Sequence, residues 1–209
     1  MADRRPLKVF LPDQARERPV SGGGGRSEPF TPVTSEFRSS LTTRVTAVAQ
    51  ALAPAMREIG VAPMRVQLIP EAYAKSHRPK RLLSDSSCPI IGAGGMGEIF
   101  VRATPSGLAE LEREIAVGQA RALIKDISTI RTIEPVTPLM RRKTRTPAEI
   151  LANSPKRGGG YLVRVRLFDF DDPSSQDRAV RSFRQFCERE GVPVNAAGYS
   201  VGSYTYGVV

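Results

Sequence analysis

Between Ser35 and Gly60 apolar residues return every three or four positions: Phe37, Leu41, Val45, Val48, Leu52, Met56 and Ile59. That spacing lays them along one face, so the stretch predicts an amphipathic helix with a buried stripe. Pro54 can kink it, and Gly60 is a natural stop. The period then shortens to two, with Met64, Val66 and Leu68 alternating with Arg65 and Gln67, a half-buried strand ended by Pro70. A short helical turn over 72–75 follows. From Cys88 to Pro138 the pattern is richest. A glycine loop, Gly92-Ala93-Gly94-Gly95-Met96-Gly97, leads into the β-favouring run Ile99 to Ala103. Thr104 then suits an N-cap and Pro105 the first helical position, with Leu108, Leu111 and Ile115 on one face. The β-branched run Ile127 to Ile133, stopped by Glu134-Pro135, reads as a returning strand.

The C-terminal third repeats this order. Thr146 and Glu149 have capping-box spacing and predict a short helix, and Gly158 to Gly160 predict a turn. Tyr161 to Phe170 alternates as a strand, with Tyr161, Val163, Val165 and Leu167 on one face. Asp172-Pro173-Ser174 starts a helix carrying Val180, Phe183, Phe186 and Cys187 and ended by Gly191, and Tyr199 to Val209 reads as a last strand. Two βαβ units with matching Pro-Ser helix starts can interleave into one antiparallel sheet with both helices on one face. The expected class is therefore α+β, a ferredoxin-like sheet of duplicated βαβ units plus an N-terminal amphipathic helix, as one compact body; the alternative is that each unit pairs with other strands and makes its own small domain. Its expected core carriers are Ile99, Val101, Leu108, Leu111, Ile130, Val163, Val165, Leu167, Phe183 and Phe186. By segment, 1–32 reads as a flexible arm in which Leu7, Val9, Phe10 and Leu11 can dock as one extended piece. Residues 33–87 give the helix, strand and basic segment, 88–145 the first unit, and 146–209 the linker helix and second unit. The apolar ending Tyr204 to Val209 suggests continuation into a longer parent protein.

Composition changes this picture in one respect. With 31 Lys and Arg against 21 Asp and Glu the net charge is +10, which suits a polyanion or an acidic protein surface as partner. The cations cluster in 75–81 (KSHRPKR) and 141–145 (RRKTR). Candidate contacts are Lys75, Arg78, Lys80, Arg81, Arg141, Arg142 and Lys143. No zinc-finger, helix-turn-helix or aromatic-and-basic RNA-binding signature accompanies them, so nucleic acid is the second choice of partner. No apolar run approaches the length of a membrane span, and the N-terminus has no secretory h-region, so a cytoplasmic location without a membrane partner is expected. Two cysteines, Cys88 and Cys187, lack metal-ligand spacing and are too few for a disulfide framework.

The glycine loop has the look of a protein kinase's phosphate-covering loop. The companions of that chemistry are missing. Ile115-Ala116-Val117 is followed by Gly118 where a lysine is needed, the only histidine, His77, precedes the loop, and Asp169-Phe170-Asp171 has no glycine. A dinucleotide fingerprint would follow a strand and open a helix, whereas these glycines precede a strand. The loop is better read as a tight turn, and no cofactor is expected. His77, between basic residues, reads as a surface or packed histidine, without the carboxylate and nucleophile of a triad nearby.

Several separated motifs carry a resemblance: Lys75-Ser76-His77-Arg78-Pro79, 88–94 (CPIIGAG), Gly97-Glu98-Ile99-Phe100-Val101, Ile127-Ser128-Thr129-Ile130 with 133–138 (IEPVTP), and Arg166-Leu167-Phe168-Asp169-Phe170. From about Leu7 onward the chain resembles the non-catalytic, prodomain-like N-terminal region of bacterial subtilisin-like serine peptidases encoded beside AAA-type ATPases. The resemblance implies a cytoplasmic two-component system whose partners are a peptidase domain and an ATPase, and a ferredoxin-like prodomain fold. Subtilisin-like catalysis needs an Asp, a His-Gly-Thr and a Gly-Thr-Ser. The single histidine here is followed by Arg78 and no Gly-Thr-Ser occurs. No catalytic residue carries over, and the chain itself is expected not to be an enzyme.

Overall fold

The computed structural model describes residues 29–136, 147–152, 156–157, 160–165, 167–191 and 204–207. Helix α1, Ser35–Ile59, begins where the Thr34 hydroxyl accepts the Phe37 N–H and ends at Gly60, whose φ of 86° only glycine adopts cheaply. It stays helical through Pro54 and buries Leu41, Val45, Val48, Leu52 and Met56, the stripe seen in the sequence. Strand β1, Ala62–Leu68, then buries alternate residues. β2 (Ile90–Ala93) and β3 (Glu98–Ala103) form a hairpin across the glycine turn. Helix α2, Pro105–Val117, is capped by the Thr104 hydroxyl on the Gly107 N–H. After helix α3, Arg121–Ser128, comes β4, Ile130–Pro135.

These elements make a four-stranded sheet in the order β2-β3-β1-β4, every neighbouring pair antiparallel. The α+β class and the ferredoxin-like sheet with helices packed on it are thus observed, and the sheet joins segments 33–87 and 88–145 in one body. α1 and α2 lie side by side, joined by Arg38, which donates to the carbonyls of Ile115 (2.5 Å) and Gly118 (2.8 Å). Arg44 reaches β4 by donating to the Thr132 hydroxyl at 3.0 Å. The inward residues of β1, β3 and β4 share one buried cluster with both helices. Ile130 and Ile133 both face it because a bulge at the Gln67/Leu68 step leaves Arg131 without an opposite number.

No helix links β1 to β2. The connection makes two 3₁₀ turns, Pro70–Ala72 and Lys75–His77, and sinks Ala72, Leu82, Leu83 and Cys88 into the same core. α1, arriving from before β1, fills the layer beside α2 that a crossover helix would otherwise occupy.

The expectation that duplicated βαβ units interleave in one sheet is corrected. β3 and β4 flank β1 as the first unit requires, but the other two strands are β1 and β2. The second unit makes its own ladder: after the short helix α4 (Pro147–Ala152), β5 (Lys156–Arg157) and β7 (Tyr204–Gly207) pair antiparallel with β6 (Gly160–Val165). A βαβ crossover would have left β6 and β7 parallel. The strand read over Tyr161 to Phe170 ends at Val165, and residues 167–170 are irregular. Ile127, read as the start of a strand, lies in the last turn of α3 instead. Leu123 and Ile127 stand four apart and pack on the core, a helical spacing that outweighs the β preference of branched side chains.

Helix α5, Pro173–Arg189, starts at Asp172, whose carboxylate accepts the Ser175 N–H at 2.9 Å. It buries Ser175, Ala179 and Cys187. Phe186, expected in the core, is 48% exposed, and Leu167 and Phe183 are half-buried. The helix seats its small residues, and Phe170 with Val61 and Ala179 forms a separate small cluster at the end of α1. Ile99, Val101, Leu108, Leu111 and Ile130 are buried as expected. The side chains of Val163 and Val165, the arm 1–28 and the segment 137–146 lie outside the described residues.

Candidate functional site: a basic pocket beside helix α3

The charged run after the Lys75–His77 turn folds back against α3. Two backbone N–H groups, of Arg81 (2.8 Å) and Leu82 (3.1 Å), donate to Asp126 Oδ2 and fix the loop to the helix. Burial raises the Asp126 carboxyl above its ordinary range, and these same hydrogen bonds oppose the shift. Between loop and helix lies a pocket of about 270 Å³ lined by Arg78, Lys80, Arg81, Lys125, His77 and Asp126, with Ser76 and Ala122. Lys80 and Arg81 are exposed, and Arg78 and Lys125 are half-buried.

The His77 ring packs edge-on against Phe30, centroids 4.9 Å apart, which agrees with its reading as a packed histidine. Its Nδ1 is buried and has no hydrogen-bond partner among the described residues. Of the seven candidates from the sequence, the structure gathers Arg78, Lys80 and Arg81. Lys75 contributes backbone to the 3₁₀ turn and its side chain is not described, and Arg141, Arg142 and Lys143 lie outside the described residues. Lys125 and Asp126 were missed because 127–133 read as a strand. The helical spacing of Leu123 and Ile127 was the available signal.

The glycine turn is built for geometry. Gly97 has φ 73°, and a β-carbon there would run into the Tyr73 ring. Gly94 N–H donates to the Glu98 carbonyl (3.2 Å) and Gly95 N–H to Glu98 Oε2 (3.0 Å). The Glu98 side chain and carbonyl thus take the Gly95 and Gly94 N–H groups, and the tight-turn reading agrees with what is seen.

Two further surfaces matter. On the sheet face away from the helices, Arg65 is held between Glu98 (2.6 Å) and Glu134, with Gln67 beside them. Toward β2, the strip 167–171 crosses this face: Phe168 meets the Phe100 ring at 5.8 Å, and Arg102 donates to the Phe170 carbonyl at 3.0 Å. Between α1 and α5 an open groove of about 690 Å³ is lined by Ile59, Val61, Pro63, Phe168, Phe183 and Phe186. No group of three or more His, Cys, Asp or Glu side chains suited to a metal occurs among the described residues, and no helix there is long and apolar enough to cross a membrane. Burial pushes the Cys88 thiol up to about 12, which leaves it unreactive at neutral pH. Compared with known proteins, the chain matches no family model, no curated protein and no solved structure.

Proposed function

We propose that this chain is a non-catalytic docking module, the regulatory or prodomain-like front region of a cytoplasmic subtilisin-like peptidase, which binds that peptidase and regulates it or helps it fold. The observation that carries the reading is the two-sided sheet: helices cover one face, while the other presents Arg65, Gln67 and Glu134 on a rigid antiparallel platform. Such a face, with an edge strand at β2 or β4, offers a partner backbone hydrogen bonds and a fixed charge pattern. The AAA-type ATPase is the proposed partner of the basic segments. The motif resemblance supplies the identity of both partners.

The test is coexpression with a catalytic subtilisin-like chain from the same operon. Copurification, weakened by Gln67→Arg on the open face but not by Arg57→Ala on α1, is the expected result. Failure to copurify with any such chain would sink the reading. The chain alone should leave casein uncut, and cleavage that tracked the purified chain through serine-protease inhibitor controls would contradict it. A free-standing nucleic-acid-binding protein is the second reading, favoured by the gathering of cations at α3. A steep fall of oligonucleotide affinity with salt would move the choice toward it.

A further inference from the structure

Most arginines whose side chains reach back into this fold are held by defined partners. Arg38, Arg65, Arg102 and Arg178 donate to carbonyls or carboxylates across the body, and Arg113 pairs with Glu110. At the α3 pocket the reverse holds. Among the described residues no ion pair or hydrogen bond holds the side chains of Arg78, Lys80, Arg81 or Lys125. Four cations therefore converge on one concavity against a single carboxylate, Asp126, whose Oδ2 is already taken by two backbone donors. Such an excess of positive charge at one concavity attracts an anion.

The shape agrees with the charge. About 270 Å³ holds a phosphate group with some of its first waters, each of which takes ~30 Å³ in the liquid. The lining residues come from both walls, Arg78, Lys80 and Arg81 from the loop and Lys125 from the helix. His77, also in the lining, has its buried Nδ1 unclaimed. The backbone bonds from Arg81 and Leu82 to Asp126 keep the two walls in register without using the cationic heads.

We propose that this pocket is a binding site for the phosphate group of a small ligand, inorganic phosphate or pyrophosphate on one hand or a nucleoside phosphate on the other. Arg78, Lys80, Arg81 and Lys125 take the oxyanion. This goes beyond the peptidase-docking role, which uses the open sheet face; the site lies in one of the basic segments assigned above to the ATPase, and phosphate binding there does not depend on that assignment.

The experiment is calorimetric titration of the full chain at fixed ionic strength with orthophosphate, pyrophosphate and adenosine monophosphate, against chloride as the inert anion. Two variants are compared: Lys80→Ala with Arg81→Ala, and, as a charge-matched control away from the pocket, Arg57→Ala with Arg131→Ala. At least one phosphate probe is expected to bind, with affinity falling about tenfold or more in the pocket variant and little in the control, as loss of charge-assisted hydrogen bonds implies. Which probe binds best separates the inorganic from the nucleotide source. Unliganded melting of the pocket variant should match the parent, which separates lost binding from lost fold. If no small phosphate binds, if both variants lose affinity equally, or if only a long oligonucleotide binds, the site is general surface charge and the proposal is overturned. Failure to capture a peptidase, by contrast, would leave these titrations unchanged.

Discussion

Leu111 and Phe186 are both apolar residues on amphipathic helices, yet the fold treats them oppositely. Leu111 is fully enclosed under α1, and Leu111→Ala should lower stability by about 2–5 kcal/mol, since the removed methyls leave a cavity. Phe186→Ala, on the half-open groove, should cost about 1 kcal/mol or less. Urea midpoints of the two variants check the contrast. Asp126 gives a pH signature. Its folded carboxyl is raised by burial above the ordinary 3.8, so the folded chain keeps a proton that the unfolded chain has already released. Stability from this group therefore falls as pH rises from 3.8 through the raised folded value. Glu114, also raised chiefly by burial, acts in the same direction, while the helix-start carboxylates Glu36 and Asp172 are lowered by hydrogen bonds and act in the opposite one. Asp126→Asn keeps an oxygen acceptor for Arg81 and Leu82 and should flatten the fall in melting temperature across that window. An unchanged pH profile would mean that the Asp126 carboxyl titrates as it does in water.

At the scale of single elements, caps and turns are where sequence and structure meet most directly. Thr104→Ala removes the side-chain acceptor for Gly107 N–H and should cost about 1 kcal/mol. Gly97→Ala should cost more, about 1–3 kcal/mol, because it forces a positive φ and drives a β-carbon toward Tyr73. Chemical denaturation of both variants gives the ordering, and a Gly97→Ala protein as stable as its parent would contradict the turn geometry. The elements read correctly include α1, β1, β3, α2, α4 and α5, whose period or cap residues are clear in the sequence. α3 was misread because eight residues are too few to fix a period, and Ile127 with Ile130 and Ile133 looks extended until Asp126 is seen bound to the loop. β2 was hidden in its glycines, since Gly92 and Ala93 carry no β signal and earn their place only by pairing with Phe100 and Ile99. The basic pocket was half legible: the loop cations stand together in the sequence, but Lys125 reaches them only through the packing of α3.

For the whole molecule, the missing information was topological. Nothing local tells β1 to take the position between β3 and β4, because its alternation fits any half-buried strand. With β1 and β3 hydrogen-bonded on both sides, their amides should exchange through global unfolding, and those on the outer side of β2 through local opening. Hydrogen exchange read by NMR at low denaturant checks this, and faster exchange in β1 than in β2 would contradict the strand order.

The place of α1 beside α2 bears on how the chain is made. α1 leaves the ribosome before α2 and β4, which ends at Pro135, yet these supply the surfaces that cover its stripe. At ~5–20 residues per second, a nascent chain presents five naked aliphatic side chains for seconds before their cover is synthesised. Translation speed and holdase chaperones should therefore govern soluble yield in cells more strongly than the stability of the finished protein.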